Sequence, residues 1–240
     1  MDDSAHDLIG WAVRITRSCN RLPQHMRCQR TPKMKLYYAE TMNSWKTCAV
    51  ARLVGPDVSF RPINLKSGEQ RCAEFLAINP NGKVPVLVDG DKTIWESNAI
   101  MCHLAIVAGS DLWPRDARQV EIVRWFGWAA DHFCRFAGEL YFEHVIRAEF
   151  DMGAPNPASV AEALGYVRHY SAILDTHLDG RSYLVGEALS LADFAVATIL
   201  PWAEAAQIPL DEFPAVRRWH ERLMELPAWR SPFPAQIEDA

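Results

Sequence analysis

Two neighbouring stretches of the chain decide its fold, Asn81-Gly-Lys-Val-Pro-Val-Leu87 and Trp95-Glu-Ser-Asn-Ala-Ile100. The first predicts a strand that follows a Val84-Pro85 bend, and the second predicts a helix that opens on an acidic residue and a serine. Because a residue before proline is held extended, Val84 can offer its backbone N–H and C=O to a ligand, as a neighbouring strand would. The helix N-terminus adds unpaired N–H groups and positive potential. We therefore predict a binding site for a small peptide that carries its own carboxylate.

Strand and helix patterns alternate around these stretches, from residue 34 to residue 109. The predicted order is a strand at Lys35–Tyr38, a helix at Ser44–Leu53, a strand at Val58–Ile63, a short helix at Glu74–Ala77, a hairpin of Lys83–Val88 and Lys92–Trp95, and a helix at Ser97–Val107. Asp89-Gly90-Asp91 is a strong turn signal inside the hairpin. The order β-α-β-α-β-β-α predicts a thioredoxin-like α/β domain.

Beyond this domain the strand signals almost vanish, and we predict an all-α domain over residues 115–232. Its predicted helices are Arg118–Glu149, Ala158–Leu178, a third that begins at Ser190, and Pro214–Leu226. Ser190-Leu-Ala-Asp193 resembles a capping box in which Asp193 replaces the usual glutamate. We interpret Asp193 as a helix cap. The predicted fold class is thus α/β plus all-α.

Composition restricts the class of protein. The chain has 240 residues, of which 49% are hydrophobic and 23% charged, as in ordinary globular proteins. A net charge of −5 argues against a nucleic-acid surface, and no apolar run approaches the roughly 20 residues that a membrane span needs. The six cysteines are scattered without C-x-x-C spacing, which is typical of free thiols in a reducing compartment. We expect a cytoplasmic protein without a metal, nucleic-acid or membrane partner.

Residues 1–33 are set apart from the rest of the chain. They combine several arginines with an acidic opening, and the first strong strand pattern begins at Met34. The acidic opening and the short apolar segments make a secretory signal an unlikely interpretation. We interpret residues 1–33 as an N-terminal extension, disordered or produced by a misassigned start, with a regulatory or docking arm as the alternative.

The Val84-Pro85 strand followed by Glu96-Ser97 strongly resembles the glutathione-binding half of the cytosolic glutathione transferases. The resemblance implies an N-terminal thioredoxin-like domain, a C-terminal all-helical domain, a cis peptide bond before Pro85, and glutathione as co-substrate. It implies that the glutathione-binding residues are Gln70, Lys83, Val84, Pro85, Glu96 and Ser97. In this scheme Ser97 holds the γ-glutamyl carboxylate, Glu96 faces the amino group, and Val84 pairs with the cysteinyl backbone. Lys83 and Gln70 reach the glycyl carboxylate or a polar atom near it.

Such an enzyme must favour the glutathione thiolate, because a thiol with a pKa of about 8.5 is only slightly ionised at pH 7. Donors at the start of the first helix can do this, and Thr41-Met-Asn43-Ser44-Trp-Lys46 lies there. Thioredoxins keep a C-x-x-C motif at this place. This chain has Asn43 and Lys46 instead, and therefore lacks a redox dithiol there.

Within the family, the closest resemblance is to the bacterial nu class. The matching segments are Thr41-x-Asn43-x-x-Lys46, Asn64-Leu-Lys-Ser-Gly-Glu-Gln70 and Glu74-Phe-Leu. This class implies that Asn43 donates its side-chain N–H to the thiolate and that Thr41 adds a hydroxyl. Ser44 is the rival donor, because theta and phi transferases use a serine close to this point. Simple helix capping is the third interpretation, since Thr, Asn and Ser are preferred N-cap residues.

A second substrate is expected between the domains, against the first long helix of the all-α domain. The candidate wall residues are Trp45, Trp128, His132, Arg135 and Phe136, with Phe133 and Tyr141 as further candidates. Each aromatic residue at helical spacing could instead belong to the core. Arg135 or His132 could also contact a second glutathione. Cys48 is either a small buried residue or, in a sharper hypothesis, a partner in a mixed disulfide with glutathione.

The resemblance predicts a glutathione-dependent transferase or disulfide-bond reductase that acts on a small electrophile or disulfide. Both conjugation and disulfide reduction are open interpretations of the reaction, and the resemblance to the nu class slightly favours disulfide reduction. A non-catalytic binding protein for glutathione or a hydrophobic ligand is the alternative, because a fold does not by itself establish catalysis. The resemblance also implies a homodimer.

Overall fold

A four-stranded sheet lies in the first half of the described chain. The computed structural model describes residues 34–55 and 57–234, and the prediction for residues 1–33 lies outside the described residues. The elements of this half are β1 (Met34–Tyr38), α1 (Met42–Val54), β2 (Val58–Pro62), α2 (Ala73–Ile78), β3 (Val86–Asp89), β4 (Lys92–Trp95) and α3 (Ser97–Ala108). Strand β1 pairs parallel with β2 and antiparallel with β3, which pairs antiparallel with β4. The predicted thioredoxin-like fold is confirmed.

Helices α1 and α3 pack side by side over one core. Residues 48–51 of α1 are Cys-Ala-Val-Ala, and all of them are buried. Their small side chains let the backbone of α3 approach closely, and Ile100, Met101 and Leu104 fill the space between this helix and the sheet. This packing fixes the distance between the N-termini of the two helices, which both point to the same side of the domain.

The second half is helical, as predicted. Its α-helices are α4 (Arg118–Trp128), α5 (Cys134–Tyr141), a short turn at Arg147–Glu149, α6 (Pro157–Leu178), α7 (Leu191–Ala197), α8 (Pro214–Met224) and α9 (Pro227–Arg230). Two π-helical turns, Ala129–Phe133 and Phe142–Ile146, interrupt the helical stretch from Arg118 to Glu149. Such π turns change which residues of a helix share a face, and this change affects the site described below.

Contacts from the helical half hold the beginning of α1. The Thr198 hydroxyl donates a hydrogen bond to the backbone carbonyl of Met42, the first residue of α1. Arg52, near the end of α1, donates to the carbonyl of Phe233 over 3.1 Å. These two contacts fix α1 at both ends against the second half. Within the described part of the chain, no helix is long and apolar enough to cross a membrane.

Asp193 organises the helical half from a fully buried position. One carboxylate oxygen accepts hydrogen bonds from the N–H of Leu184 (2.9 Å) and from the indole N–H of Trp219 (3.0 Å). The other oxygen accepts from the N–H (2.9 Å) and the hydroxyl (3.0 Å) of Ser190. Burial raises the pKa of Asp193 to about 6, although all these donors favour the charged form. Asp193 therefore does more than the predicted helix cap, because it also ties α7 to α8 and to the preceding loop.

We expect Asp193→Ala to lower the free energy of unfolding by about 3 kcal/mol or more, because it leaves several buried donors without an acceptor. Ser190→Ala is the matched control. It keeps the carboxylate and loses one hydroxyl contact, for an expected loss of about 1 kcal/mol. Urea unfolding followed by circular dichroism measures both. Equal losses for the two variants would contradict a central role for the carboxylate.

Candidate functional site

Two adjoining cavities lie beside the N-termini of α1 and α3. The first has a volume of about 220 Å³ and is lined by Asn43, Asn79, Asn81, Lys83, Val84, Pro85, Glu96 and Ser97. The second has a volume of about 390 Å³ and is lined by Met42, Asn43, Lys46, Glu96, Ser97, Asn98, Phe126, Ala129, Ala130, Cys134, Arg135, Ala195 and Thr198. Asn43, Glu96 and Ser97 belong to both walls. These three residues therefore mark the place where the cavities meet.

The segment before β3 forms one side of the first cavity. The Val84–Pro85 peptide bond is cis, as the family resemblance implies. Asn79, which is buried, donates to the backbone carbonyl of Lys83 over 2.7 Å. Its side-chain oxygen accepts from the backbone N–H (3.1 Å) and the side-chain N–H (3.0 Å) of Asn81. These bonds hold the loop in a fixed shape and present Val84 to the cavity.

The sequence analysis assigned no role to Asn79, and Asn81 entered it only as the first residue of the quoted stretch. The Asn-Pro-Asn-Gly cluster is a strong loop signal. It does not say, however, that an asparagine side chain turns inward and braces the loop. The bracing role became visible only in the structure.

The N-terminus of α3 forms the opposite side of the first cavity. Glu96 is its N-cap residue and has φ = 70°, a value that is unusual for a residue other than glycine. Its side chain makes no capping hydrogen bond. The first N–H groups of α3 have no partner inside the helix, so this end can receive a negatively charged group. A strained backbone at a cavity wall is typical of functional sites.

Asn43, the second residue of α1, is fixed by a contact between the two helices. The Ser97 hydroxyl donates to the Asn43 side-chain oxygen over 3.2 Å. This bond turns the carboxamide so that its NH₂ group is the free end, and that group has no hydrogen-bond partner among the described residues. The arrangement offers a donor to an anion at the junction of the two cavities.

Thr41 and Ser44 lie apart from this junction. Ser44 is fully buried, and its oxygen accepts from the Thr41 hydroxyl (3.2 Å) and more weakly from the N–H of Ala39 (3.4 Å). Thr41 lines a separate cavity of about 750 Å³, beside Tyr38. Consecutive residues of an α-helix point about 100° apart, so Asn43 and Ser44 cannot both face the same junction. The structure thus brings Asn43 to the two cavities without Thr41 and Ser44.

Lys46 follows Asn43 by three residues and therefore lies on the same face of α1. Its side chain is only 5% exposed, and its ammonium group donates to the Asn98 side-chain oxygen over 2.9 Å. Burial lowers the pKa of Lys46 to about 8, while the negative charge of Glu96 acts in the opposite direction. The sequence analysis noted Lys46 because no cysteine stands at its position and because it completes the Thr41-x-Asn43-x-x-Lys46 pattern. Its burial at the cavity wall was not predicted.

The predicted glutathione-binding residues are largely brought together. Lys83, Val84 and Pro85 line the first cavity with Glu96 and Ser97. Gln70 lies instead in a short 3₁₀ turn, Glu69–Arg71, where its side-chain amide has a weak 3.5 Å contact with the carbonyl of Leu65. Gln70 therefore lies outside the walls that the described residues form around this cavity.

Of the five residues first predicted for the wall of a second-substrate pocket, the structure brings Arg135 to the wall of the second cavity. Trp128, His132 and Phe136 do share a helical face, as their spacing predicts. That face, however, packs toward Tyr166 and Tyr170 of α6. Their assignment to the wall is therefore not supported. Hydrophobic periodicity shows that residues share a face, but it does not show which neighbour the face meets.

The other aromatic candidates belong to the core. Trp45 packs edge-on against Trp202 (4.9 Å between ring centroids) and also contacts Trp229 and Phe233. Phe133 is fully buried, and Tyr141 is mostly buried against Trp202. The wall of the second cavity contains Phe126, Ala129 and Ala130 instead, and the last two belong to the π turn. Small residues in a π turn give no distinctive sequence signal.

Cysteine thiols at or near the site are protonated. Cys134 lines the second cavity, contacts the carbonyls of Ala195 and Val196, and has its pKa raised to about 12 by burial. Cys48 is fully buried, and burial also raises its pKa strongly. The structure therefore favours Cys48 as a small buried residue over the mixed-disulfide hypothesis. Among the described residues, no group of His, Cys, Asp or Glu side chains is arranged to hold a metal ion.

Comparison with known families decides what kind of protein has this arrangement. Residues 32–106 match the family model "Glutathione S-transferase, N-terminal domain", and residues 131–227 match "Glutathione S-transferase, C-terminal domain". The chain is 31% identical over 195 residues to glutathione S-transferase 3 of Zea mays, with 78% of this chain and 87% of the relative covered. The chain belongs to the glutathione S-transferase family.

Solved structures of the glutathione S-transferase family agree with the fold. A glutathione S-transferase I bound with lactoylglutathione has a TM-score of 0.77 and 27% identity, covering 83% of this chain and 98% of that one. Ure2p in complex with glutathione has a TM-score of 0.75 and 25% identity, covering 85% of this chain and all of that one (100%). The sequence relative comes from a plant, so the predicted bacterial origin and nu class are not supported.

The burial of the site cysteines leads to a prediction for thiol labelling. Iodoacetamide at pH 8 should alkylate the exposed Cys72 about a hundredfold or more faster than Cys134, because a buried thiol with a pKa near 12 provides almost no thiolate. Mass-spectrometric mapping of tryptic peptides over time measures both rates in one sample. The same mapping in denaturant is the control, and there the two rates should converge. Rapid native labelling of Cys134 would contradict its burial.

Proposed function

We propose that the protein is a glutathione-dependent transferase that binds glutathione in the first cavity and an electrophile in the second. The observation that carries the proposal is the junction formed by Asn43, Glu96 and Ser97, which belong to both cavities. A sulfur atom at this junction would be within reach of the free Asn43 amide and would face the second cavity. The matched family and its glutathione-bound relatives support glutathione as the ligand.

Glutathione has groups that suit the first cavity in one direction. Its γ-glutamyl carboxylate would lie at the N-terminus of α3 beside the Ser97 hydroxyl, and its amino group would face Glu96. Its cysteinyl backbone would pair with the main chain of Val84, as in strand addition. Its glycyl carboxylate would extend toward Lys83. Each contact joins groups of opposite charge or a donor to an acceptor.

Asn43 is the donor that we propose for the thiolate. A hydrogen bond to an anion is stronger than one to a neutral group, so the Asn43 amide would favour the thiolate over the thiol. Its place in the first turn of α1 adds the positive potential of a helix N-terminus. Ser44 remains the rival from the sequence, but its hydroxyl is buried and engaged with Thr41. Thr41 could act only indirectly, through that contact.

In the conjugation step the thiolate sulfur uses a lone pair to form a carbon–sulfur bond with the electrophile. The leaving group departs from the same carbon with the electrons of its broken bond. The apolar residues Phe126, Ala129 and Ala130 line the second cavity and suit the apolar body of such an electrophile. Because the chemistry needs only a thiolate and a positioned electrophile, the residues at the junction are sufficient for it.

Disulfide reduction is the second candidate, and the walls of the two cavities are compatible with it. The first cavity carries no cysteine among its described wall residues, and Cys134 in the second is protonated. Both thiols would then come from glutathione. One thiolate attacks the disulfide and releases a substrate thiolate, and a second glutathione attacks the resulting mixed disulfide. The products are oxidised glutathione and the second substrate thiolate, so two glutathiones supply both electrons.

A cytoplasmic homodimer completes the proposal. Helices α3 and α4 expose large aliphatic side chains at Ile106, Val107, Val120 and Val123. Exposed apolar groups of this kind favour an interface with another protein surface. A two-fold dimer is the commonest arrangement for such an interface. The free cysteines of the described chain are consistent with a reducing compartment.

The donor assignment predicts opposite results for two adjacent variants. Asn43→Ala should raise the pKa of the bound glutathione thiol by about 1 to 2 units and lower kcat/KM about 10- to 100-fold, because it removes a hydrogen bond to the anion. Ser44→Ala should leave that thiol pKa unchanged. Thiolate absorbance of the enzyme–glutathione complex, titrated against pH, measures the pKa in both. A shift seen with Ser44→Ala alone would move the donor role to Ser44.

The reaction type is tested with purified protein and two substrates, 1-chloro-2,4-dinitrobenzene and 2-hydroxyethyl disulfide. We expect conjugation of the aryl chloride well above the uncatalysed rate, and oxidised glutathione in the second assay if reduction also occurs. Asn43→Ala is the paired control, and it should slow whichever reaction depends on the thiolate. Glutathione binding without turnover of either substrate would instead establish the non-catalytic binding protein.

A further inference from the structure

A buried positive charge at the wall of the second cavity makes no direct ion pair with a described residue, although Glu96 lies on the same wall and its charge favours the ammonium. Lys46 is 5% exposed, and its ammonium group can donate three hydrogen bonds. One goes to the neutral Asn98 side chain over 2.9 Å. Among the described residues, the carboxylate that acts on Lys46 is that of Glu96, and it does so through longer-range attraction and not through a direct ion pair. Buried charges in proteins are normally paired, so the free side of this ammonium requires an explanation.

Lys46 is charged under ordinary conditions. Burial lowers its pKa only to about 8, so the ammonium is the main form at pH 7. Its neighbours do not neutralise it, because Cys134 is a protonated thiol and Glu96 stands at the junction with the first cavity. When glutathione is bound as proposed, its amino group pairs with Glu96. The second cavity is then left with an excess of positive charge.

The other walls of this cavity restrict what can balance the charge. Arg135 adds a second cation from α5, and its guanidinium is more exposed than the Lys46 ammonium. The remaining surface is mostly apolar and includes Phe126, Ala129 and Ala130. A ligand that suits all of these groups has an apolar or aromatic body and one anionic group. The anionic group would lie against Lys46 and the body against α4 and the π turn.

We propose that the second cavity selects electrophiles that carry an anionic group such as a carboxylate, with Lys46 as the main recognition residue and Arg135 as an additional cation. This inference rests on the proposed function, because it assigns the substrate class of the same site. It differs from a role in thiolate stabilisation, where Lys46 would act on the glutathione sulfur and affect all electrophiles alike. The carboxylate is instead recognised on the electrophile.

Two electrophiles that differ only in charge test the proposal. 4-Chloro-3,5-dinitrobenzoate and its methyl ester carry the same reactive aryl chloride, and the ester removes the negative charge. For each protein we would measure kcat/KM for both compounds, divide each by its uncatalysed rate constant with glutathione, and take the ratio of carboxylate to ester. We expect this ratio to exceed one in the unaltered protein and to fall about tenfold or more in Lys46→Met, because a charge-assisted contact is lost.

Further variants separate charge recognition from other effects. Lys46→Arg keeps the charge and should retain most of the preference for the carboxylate. Lys92→Met removes an exposed lysine that lines neither cavity, and it should leave the ratio unchanged, which controls for net charge. Arg135→Gln alters an exposed side chain and should lower the ratio by about two- to threefold, as expected for a solvent-screened charge. An unchanged ratio in Lys46→Met, or an equal fall for both compounds, would overturn the proposal.

A binding measurement keeps the inference separate from catalysis. The unreactive 3,5-dinitrobenzoate and its methyl ester would be titrated calorimetrically into the unaltered protein saturated with S-methylglutathione. Tighter binding of the carboxylate supports the anion site even if neither electrophile is turned over, in which case only the transferase proposal fails. Equal or tighter binding of the ester refutes the anion site, while turnover of the ester would still support the transferase. This readout does not depend on whether Lys46→Met folds.

Discussion

Two hydrogen bonds between α1 and α3 determine the geometry of the whole site. Ser97 donates to Asn43, and Lys46 donates to Asn98, so that two residues at the start of one helix contact two on the other. The first bond frees the Asn43 amide for an anion, and the second places the Lys46 ammonium at the neighbouring wall. Because both cavities lie beside these contacts between α1 and α3, a change in the spacing of the two helices would alter both cavities.

The spacing depends on packing away from the site. Residues 48–51 of α1 are small or β-branched and fully or nearly fully buried, which lets α3 lie close without a void. The helical half then fixes α1 along its axis, through the bond from Thr198 to the Met42 carbonyl and the bond from Arg52 to Phe233. A polar site at the junction of two halves is therefore positioned mainly by apolar contacts and a few anchoring bonds.

The sequence was sufficient to predict the element order, because short alternating strands, turn signals and the Ser190 cap are local features. It also predicted the residues of the first cavity that stand in one contiguous motif, from Lys83 to Ser97. It could not predict which face of α4 and α5 meets the α/β half, since Trp128 and its neighbours have the same period whether they face α6 or a cavity. Nor could it tell which of Asn43 and Ser44 faces the junction of the cavities, because both are good N-cap residues and the rotation of α1 about its axis decides between them. Gln70 lies in the 3₁₀ turn Glu69–Arg71 and not on the walls described for the first cavity, and its role in glutathione binding stays a prediction.

The two halves contribute different chemistry to the second cavity. The α/β half contributes Asn43, Lys46 and Glu96. Hydrogen bonds between α1 and α3 hold the first two in place. The apolar wall comes from α4 and the π turn, through Phe126, Ala129 and Ala130. Substitutions in the helical half can therefore reshape the space for the body of a ligand while the thiolate donor and the buried ammonium stay in place. Moving Lys46 or Asn43 would require a shift of α1 itself, which the core beneath it resists. Recognition of charge and activation of the thiol are thus coupled through one rigid helix, while the shape of the apolar pocket remains free to vary.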